Sequence, residues 1–155
     1  MNPVHAWRLE PGQVSIAIAR NDLVEVLHDV NAMGLPIGPR WCREILAWRG
    51  RLIPLASATG SGAGNGAEND LAYAAVIALQ PDPERDETEY VAIRIRTPPL
   101  AIEVGAGQDR EPPADPVFPR EYLLACFEDG EDPVAVIDLA RLFAVNAGGP
   151  PQSID

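Results

Sequence analysis

The chain has 155 residues, a formal net charge of −11 and a pI near 4.5. So acidic a surface repels nucleic acid and anionic lipid, which argues against nucleic-acid binding. No apolar run approaches the roughly 18 residues that a membrane span needs, and residues 1–12 lack the apolar core of a signal peptide. We therefore expect a cytoplasmic protein, built as one compact unit or as two very small subdomains that share a core.

The first half of the chain predicts short strands separated by turn-forming residues. We expect these strands at 5–9, 14–19, 23–27 and 52–56. An extended loop follows at 34–39, and the segment 41–48 fits either a short helix or a strand. Arg49-Gly50 predicts a tight turn, since glycine adopts positive φ readily. Pro54, inside the last of these strands, indicates an edge position.

The second half begins after a low-complexity, glycine-rich insertion at 58–67, which we expect to be flexible. Strands are predicted at 73–79, 90–96, 122–127 and 133–137. A long connection rich in Pro, Asp and Gly occupies 105–120. Asp138 is suited to cap a short helix over 139–144. The tail, 146–155, should be disordered.

Two stretches of the chain resemble two later stretches in the same order. Residues 14–26 reappear as 91–104, and residues 45–57 are echoed by 123–138, with small insertions between the matching positions. An ordered internal repeat indicates two similar substructures. The subdomains would cover about 5–58 and 70–145 of a single domain, 1–149, with interwoven strands, because halves of about 75 residues would be marginal alone. Many short strands and little helix predict an all-β fold of small barrels.

No catalytic motif is recognisable in the sequence. The glycine-rich stretch lacks the Gly-Lys-Ser/Thr of a phosphate-binding loop, and the acidic loops lack the ligand spacing of calcium sites. Cys42 and Cys126 are 84 positions apart, fit no zinc pattern, and are expected to be buried free thiols. We therefore predict no catalytic residues, no cofactor and no metal.

Three residues of the first half are candidates for partner contacts. Glu25 and Arg49 could form an ion pair, could each reach a partner, or could be ordinary surface charges. Trp48, next to Arg49, is either a core residue or a binding hot spot, since Trp and Arg are enriched at such spots. Glu25 and Glu103 occupy the same place in the two copies of the repeat, so we expect them on separate modules.

These segments together resemble the CheW-like family, the coupling proteins of bacterial chemosensory arrays. The resemblance lies in an apolar hairpin that ends in a Glu-Val pair, a Pro-rich loop, an Arg-Gly turn before an Ile-Pro strand, and a final strand running into an Asp-Leu helix. The segments that carry it are Leu23-Val-Glu-Val26, Leu35-Pro-Ile-Gly-Pro39, Arg49-Gly-Arg-Leu-Ile-Pro-Leu55 and Val134-Ala-Val-Ile-Asp-Leu139. The match spans roughly residues 5–145.

The resemblance implies two intertwined five-stranded SH3-like barrels and a non-enzymatic adaptor role. Family members bridge the regulatory domain of a CheA-type histidine kinase to the cytoplasmic tips of chemoreceptors, whose helices would lie in an apolar crevice between the barrels. The partner-binding residues implied by position are Glu25, Arg49 and Gly50, together with the neighbouring Val24, Val26 and Trp48.

The sequence also departs from the family pattern. Ala47-Trp48 stands where Asn-Leu is usual, Glu44 where a glycine is common, and Ser57-Ala58 replaces the usual Asp-Leu. The chain is thus similar to a divergent or accessory member of the family. The departures fit a pilus-type chemosensory system, and the sequence does not distinguish it from a flagellar one. One alternative is a scaffold or localisation factor that binds other CheW-like domains without receptor coupling. A small-ligand-binding or enzymatic barrel is a second alternative, which no feature of the sequence supports.

Overall fold

The computed structural model describes residues 3–57, 72–80, 84, 87–105, 107–113 and 118–147, which form a nearly all-β structure with one α-helix, as predicted. The strands are β1 (Val4–Leu9), β2 (Ser15–Ala19), β3 (Leu23–His28), β4 (Ala32–Gly34), β5 (Glu44–Trp48), β6 (Arg51–Ala56), β7 (Tyr73–Leu79), β8 (Glu89–Ile95), β9 (Leu100–Val104), β10 (Leu123–Asp129) and β11 (Asp132–Ile137). The helix α1 spans Leu139–Ala147. Among the residues described, no helix is long and apolar enough to cross a membrane.

The strands form two mixed sheets, one built from the two ends of the chain and the other from its middle. Sheet 1 has the order β10-β11-β2-β1-β9, and sheet 2 has the order β3-β7-β8-β6-β5-β4. Each sheet contains one parallel pair, β11 with β2 in sheet 1 and β6 with β8 in sheet 2. Sheet 1 therefore joins the beginning of the chain to its end, and sheet 2 is built from the segment between them.

The internal repeat of the sequence is also a repeat of topology. In sheet 1, β2 lies between its antiparallel neighbour β1 and its parallel neighbour β11. In sheet 2, β8 lies in the same way between β7 and β6. The strand after each of them crosses over, because β3 pairs with β7 and β9 pairs with β1. Each copy thus contributes an outer strand to the other sheet, so the two barrels are intertwined.

Three apolar clusters follow from this arrangement. The largest lies between the sheets, and each sheet covers a smaller cluster on its other face. Strand β8 shows how the sequence specifies this: Val91, Ile93 and Ile95 join the shared cluster, whereas Ala92 joins the cluster of sheet 2. Alternate side chains of a strand point to opposite faces, so the predicted alternation serves two cores at once. We refer to sheet 1 with its own cluster as barrel 1, and to sheet 2 with its own cluster as barrel 2.

The structure corrects some of the predicted elements and resolves one ambiguous segment. The ambiguous segment 41–48 contains strand β5, which starts at Glu44, and a short strand that was not predicted, β4, takes Gly34 from the expected loop. The prediction of an edge position for Pro54 is wrong, since β6 lies between β5 and β8. Pro54 is tolerated there because the pairing of β6 with β8 begins only at Leu55, so this part of β6 is still unpaired on that side.

The C-terminal elements follow the prediction closely. The strands β10 and β11 form the expected hairpin. The backbone N–H of Arg141 donates to Oδ1 of Asp138 at 3.2 Å, which identifies Asp138 as the residue that caps α1. The helix ends at Ala147 rather than 144. Residues 146 and 147, which were expected to begin the disordered tail, belong to α1. The expected glycine-rich insertion, 58–67, and the rest of the expected tail, 148–155, lie outside the described residues.

Candidate partner-binding site

The turn between β5 and β6 places two candidate residues at the tip of a tight hairpin. Trp48 and Arg51 form the last pair of the ladder, so the loop consists of Arg49 and Gly50 alone. Both residues have positive φ, 50° and 76°, as a two-residue type I′ turn requires. Glycine takes this conformation without cost, but an arginine there is unusual. A non-glycine residue held in such a conformation suggests that its side chain is used.

Glu25 joins this hairpin from β3, which lies at the opposite edge of sheet 2. Its Oε1 accepts a hydrogen bond from the indole N–H of Trp48 and another from Nη2 of Arg49, each 3.0 Å long. The regular pairing of β3 with β7 is interrupted between Leu23 and Glu25, and an irregularity of this kind re-aims a side chain at the edge of a sheet. The structure therefore brings together the three candidates Glu25, Trp48 and Arg49.

Two aromatic rings and two guanidinium groups form a stack beside Glu25. The guanidinium carbon of Arg49 lies 4.6 Å from the centre of the Trp48 ring, and that of Arg51 lies 4.9 Å from the centre of the Tyr90 ring. The two rings are 5.1 Å apart and inclined by 48°. Both arginines are placed to make cation–π contacts. We call Glu25, Trp48, Arg49, Arg51 and Tyr90 the hairpin cluster.

The predicted site residues differ in their exposure to solvent, so some support the site and others form its surface. Trp48 is only 6% exposed and packs into the core of barrel 2, so its ring supports the site from below. The side chain of Arg49 is 62% exposed, and that of Glu25 is 39% exposed. Gly50 and Val24 are also exposed, whereas Val26 is half-buried. A partner would therefore meet Arg49, Gly50 and Val24 first.

The sequence reasoning missed two members of the hairpin cluster, Tyr90 and Arg51. The strict alternation of β8 contained the signal for Tyr90, because it assigns Tyr90 to the same face as Ala92, and that face covers barrel 2. Arg51 follows the turn directly, and its guanidinium lies over the Tyr90 ring. Their association depends on the pairing of strands far apart in the chain, which local patterns do not reveal.

The departures from the family pattern have visible structural roles. Glu44, where a glycine is common, receives hydrogen bonds from Nε and Nη2 of Arg94, at 2.8 and 3.0 Å. Ala47 is exposed on the outer face of β5. The backbone N–H of Ser57 donates to the carbonyl of Trp41 at 2.8 Å. These residues thus stabilise or border barrel 2.

The remaining candidate residues lie apart from the hairpin cluster. Glu103 is on β9 in sheet 1, so the repeated glutamates Glu25 and Glu103 are on different sheets, as expected. Cys42 and Cys126 are buried free thiols, as predicted. Burial raises the pKa of the Cys42 thiol to about 11 and also raises the pKa of the Cys126 thiol. Neither cysteine therefore has the character of an activated nucleophile.

Comparison with known proteins supports the fold. No family model matches the sequence, and no curated protein matches it. The structure is similar to the crystal structure of the scaffolding protein TtCheW from Thermoanaerobacter tengcongensis, with a TM-score of 0.66 and 18% sequence identity. The similarity covers 93% of this chain and 90% of that chain. The chain therefore has the CheW-like fold of two SH3-like barrels, as the resemblance implied.

Proposed function

We propose that this protein is a non-enzymatic adaptor of a chemosensory system, which couples a CheA-type histidine kinase to chemoreceptors. One observation carries the proposal: a CheW-like fold presents an ion-paired Glu25 and Arg49 at the positions where the family resemblance places partner contacts. The regulatory domain of the kinase and the cytoplasmic tip of a receptor are the proposed partners.

The geometry of the hairpin cluster supports a role in binding. The Arg49 side chain is held between the Trp48 ring and the carboxylate of Glu25, so its position is fixed before a partner arrives. A preorganised side chain loses less conformational entropy on binding. Arginine is also one of the residue types enriched at binding hot spots, and the Arg49 side chain is 62% exposed.

The proposed adaptor would act from within an array at the membrane. Weak individual contacts suffice in such an array, because many copies bind together and raise the effective concentration. The chain would be recruited by its receptor partner.

The first experiment is co-purification of the tagged protein from its native cell, with identification of the bound proteins. We expect a histidine kinase and a chemoreceptor among them. The variant Arg49→Glu places two carboxylates side by side and should reduce the recovery of at least one partner by about tenfold or more, with an unchanged melting temperature.

The matched control is Arg110→Glu, which makes the same change of charge at an exposed ion pair in barrel 1, between Arg110 and Glu128. This variant should retain both partners. Recovery of the wild-type amounts with Arg49→Glu would reject the role of Arg49, and the absence of any chemosensory protein would reject the adaptor function.

A second candidate function is a scaffold that binds other CheW-like domains without contacting a receptor. The departures from the family pattern at Glu44 and Ala47-Trp48 favour it. In addition, one carboxylate oxygen of Glu25 already accepts hydrogen bonds from both Trp48 and Arg49. That arrangement leaves only the other oxygen of Glu25 for a partner. A competition assay with a receptor-tip peptide separates the two functions, since only the coupling adaptor would bind the peptide.

A further inference from the structure

Barrel 1 contains an apolar groove that the proposed adaptor function does not use. Its volume is about 540 Å³, and its lining consists mainly of small and aliphatic side chains. The residues that shape it are Ala6, Ala17, Val104, Ala125, Phe127 and Val136. Small-molecule sites in proteins occupy roughly 300–1,000 Å³ and have predominantly apolar walls with a few polar groups. The groove meets both conditions.

The internal repeat allows the wall of this groove to be compared with the matching positions of barrel 2. Ser15 on β2 pairs with Val134, and Ala92 on β8 pairs with Leu55, so these two pairs correspond. Two residues further along the same strands, Ala17 of barrel 1 corresponds to Arg94 of barrel 2.

The residues that pair with Val134 and with Leu55 on the next strands also correspond. Phe127 pairs with Val134 in barrel 1, and Glu44 pairs with Leu55 in barrel 2. The positions of Ala17 and Phe127 thus correspond to those of the ion pair between Arg94 and Glu44 in barrel 2. At one of them barrel 1 has the methyl group of Ala17 where barrel 2 has a guanidinium, which leaves more room beside β2.

Two polar residues line the groove, Asp109 and Arg110. The guanidinium of Arg110 is engaged, since Nε donates to the carbonyl of Glu111 at 2.9 Å and Nη1 lies 3.4 Å from a carboxylate oxygen of Glu128. Asp109 is exposed and makes no ion pair with the residues that the structure describes. Cys126 adds no charge near neutral pH, because burial raises the pKa of its thiol. The unbalanced charge at the groove is therefore the negative charge of Asp109.

We propose that this groove binds a cationic aliphatic ligand, with the alkyl chain along the Ala and Val wall and the ammonium group beside Asp109. Charge complementarity selects this occupant over an aliphatic acid, and the net charge of −11 on the whole chain acts in the same direction. The site lies in barrel 1, whereas the hairpin cluster lies in barrel 2, so the inference extends beyond the proposed adaptor function.

Calorimetric titration with three ten-carbon probes tests the choice of ligand. The probes are decylammonium, decanol and decanoate, each below its micelle concentration and at physiological salt. We expect decylammonium to bind most tightly and decanoate most weakly. Octylammonium should bind about fifteenfold more weakly than decylammonium, because it lacks two methylenes and each buried methylene contributes about fourfold in affinity. Equal affinity for decanoate and decylammonium, or no binding of any probe, would overturn the proposal.

Variants then locate the site. Ala125→Trp introduces a ring from an exposed position into the groove and should abolish probe binding. Ala47→Trp is the matched control, because Ala47 is likewise an exposed alanine in a strand and lies in barrel 2. It should bind decylammonium as the wild type does.

Asp109→Asn should weaken decylammonium binding about two- to fivefold and leave decanol binding unchanged, as expected for one exposed charge pair. Circular dichroism spectra and melting temperatures confirm that each variant is folded. Unchanged affinity in Ala125→Trp would assign probe binding to general attraction by the acidic surface and would refute the groove as the site.

Discussion

Arg94 holds Glu44 through two arms of its guanidinium group, across the width of strand β6. Nε and Nη2 lie 2.8 and 3.0 Å from the two carboxylate oxygens, and both side chains are mostly withdrawn from solvent, at 15% and 30% exposure. A planar fork of this kind is specific to arginine and adds orientation as well as energy. The residue that departs from the family pattern, Glu44, therefore has a structural partner that fixes β5 relative to β8.

Arg94→Leu should destabilise the protein by about 2 kcal/mol, because it leaves the half-buried charge of Glu44 without a partner. The double variant Glu44→Leu/Arg94→Leu should be more stable than Arg94→Leu, since it removes both charges together. Urea denaturation at neutral pH measures the free energy of unfolding of all three proteins. A single variant as stable as the wild type would show that the pair contributes nothing.

Gly50→Ala should lower the free energy of unfolding by about 1 kcal/mol for a purely conformational reason. The φ of Gly50 is +76°, which a residue with a Cβ tolerates poorly, and the added Cβ would meet no atom within 4 Å. Gly34→Ala is the control, because Gly34 has equal open space around it and no positive φ. Thermal and urea unfolding should separate the two variants, and equal effects would contradict the conformational explanation.

Arg8 is the centre of a second charge network, located at the tip of the β10–β11 hairpin. Its guanidinium contacts Glu10, Asp129 and Asp132 at 2.8–3.0 Å, and Nε also lies 3.1 Å from the hydroxyl of Ser15. Burial works against the charge of Arg8, but its hydrogen bonds to Asp129 and Asp132 outweigh this effect and raise its pKa. A single cation, Arg8, thus forms ion pairs with three carboxylates.

Arg8→Met should destabilise the protein by about 3 kcal/mol, because three neighbouring carboxylates lose their common counter-charge. Arg8→Lys should recover only part of the loss, since an ammonium group cannot reproduce the forked contacts. Urea denaturation gives both values. Full recovery with lysine would show that charge alone, without geometry, accounts for the role of Arg8.

The sequence predicted most of the fold because its strands carry their own periodicity. The alternation of β8 defines its two faces without any knowledge of the partner strands. The repeat of 14–26 at 91–104 likewise predicted two equivalent substructures. The sequence predicts interwoven strands but does not show that β3 and β9 are the strands exchanged between the sheets. The pairing partner of a strand depends on the path of the connection before it, which local patterns do not specify. The edge position predicted for Pro54 is wrong for the same reason. Only the assembled sheet shows that β6 lies between β5 and β8 and that its pairing with β8 begins at Leu55.

The candidate site was predictable in part. The sequence identifies Glu25, Trp48 and Arg49 as candidates but does not decide whether the two charges pair. The structure places Nη2 of Arg49 3.0 Å from Oε1 of Glu25. Trp48 is expected to be either a core residue or part of the candidate binding site, and it is both. Its ring is buried in the core, and its indole N–H donates a hydrogen bond to Glu25. Tyr90 joins the cluster only through the folding of β8 against β6, which a local pattern does not contain.

Cys42 should make the protein sensitive to alkaline pH. Burial and the nearby charge of Glu44 raise the pKa of its thiol from 9.0 to about 11, although a hydrogen bond to the backbone of Leu55 opposes the shift. The folded state therefore keeps its proton where the unfolded chain has already lost it. The stability linked to this group is complete below about pH 9 and declines as the pH rises towards 11, by roughly 2–3 kcal/mol in all.

The variant Cys42→Ala isolates this contribution. It retains the three tyrosines, and all twelve basic residues are arginine, so no lysine titrates in the same range. Urea denaturation at about pH 8 and at about pH 10.5 should show a smaller alkaline loss of stability in Cys42→Ala than in the wild type. An equal loss in the two proteins would mean that the thiol ionises alike in the folded and unfolded states, which the complete burial of Cys42 argues against.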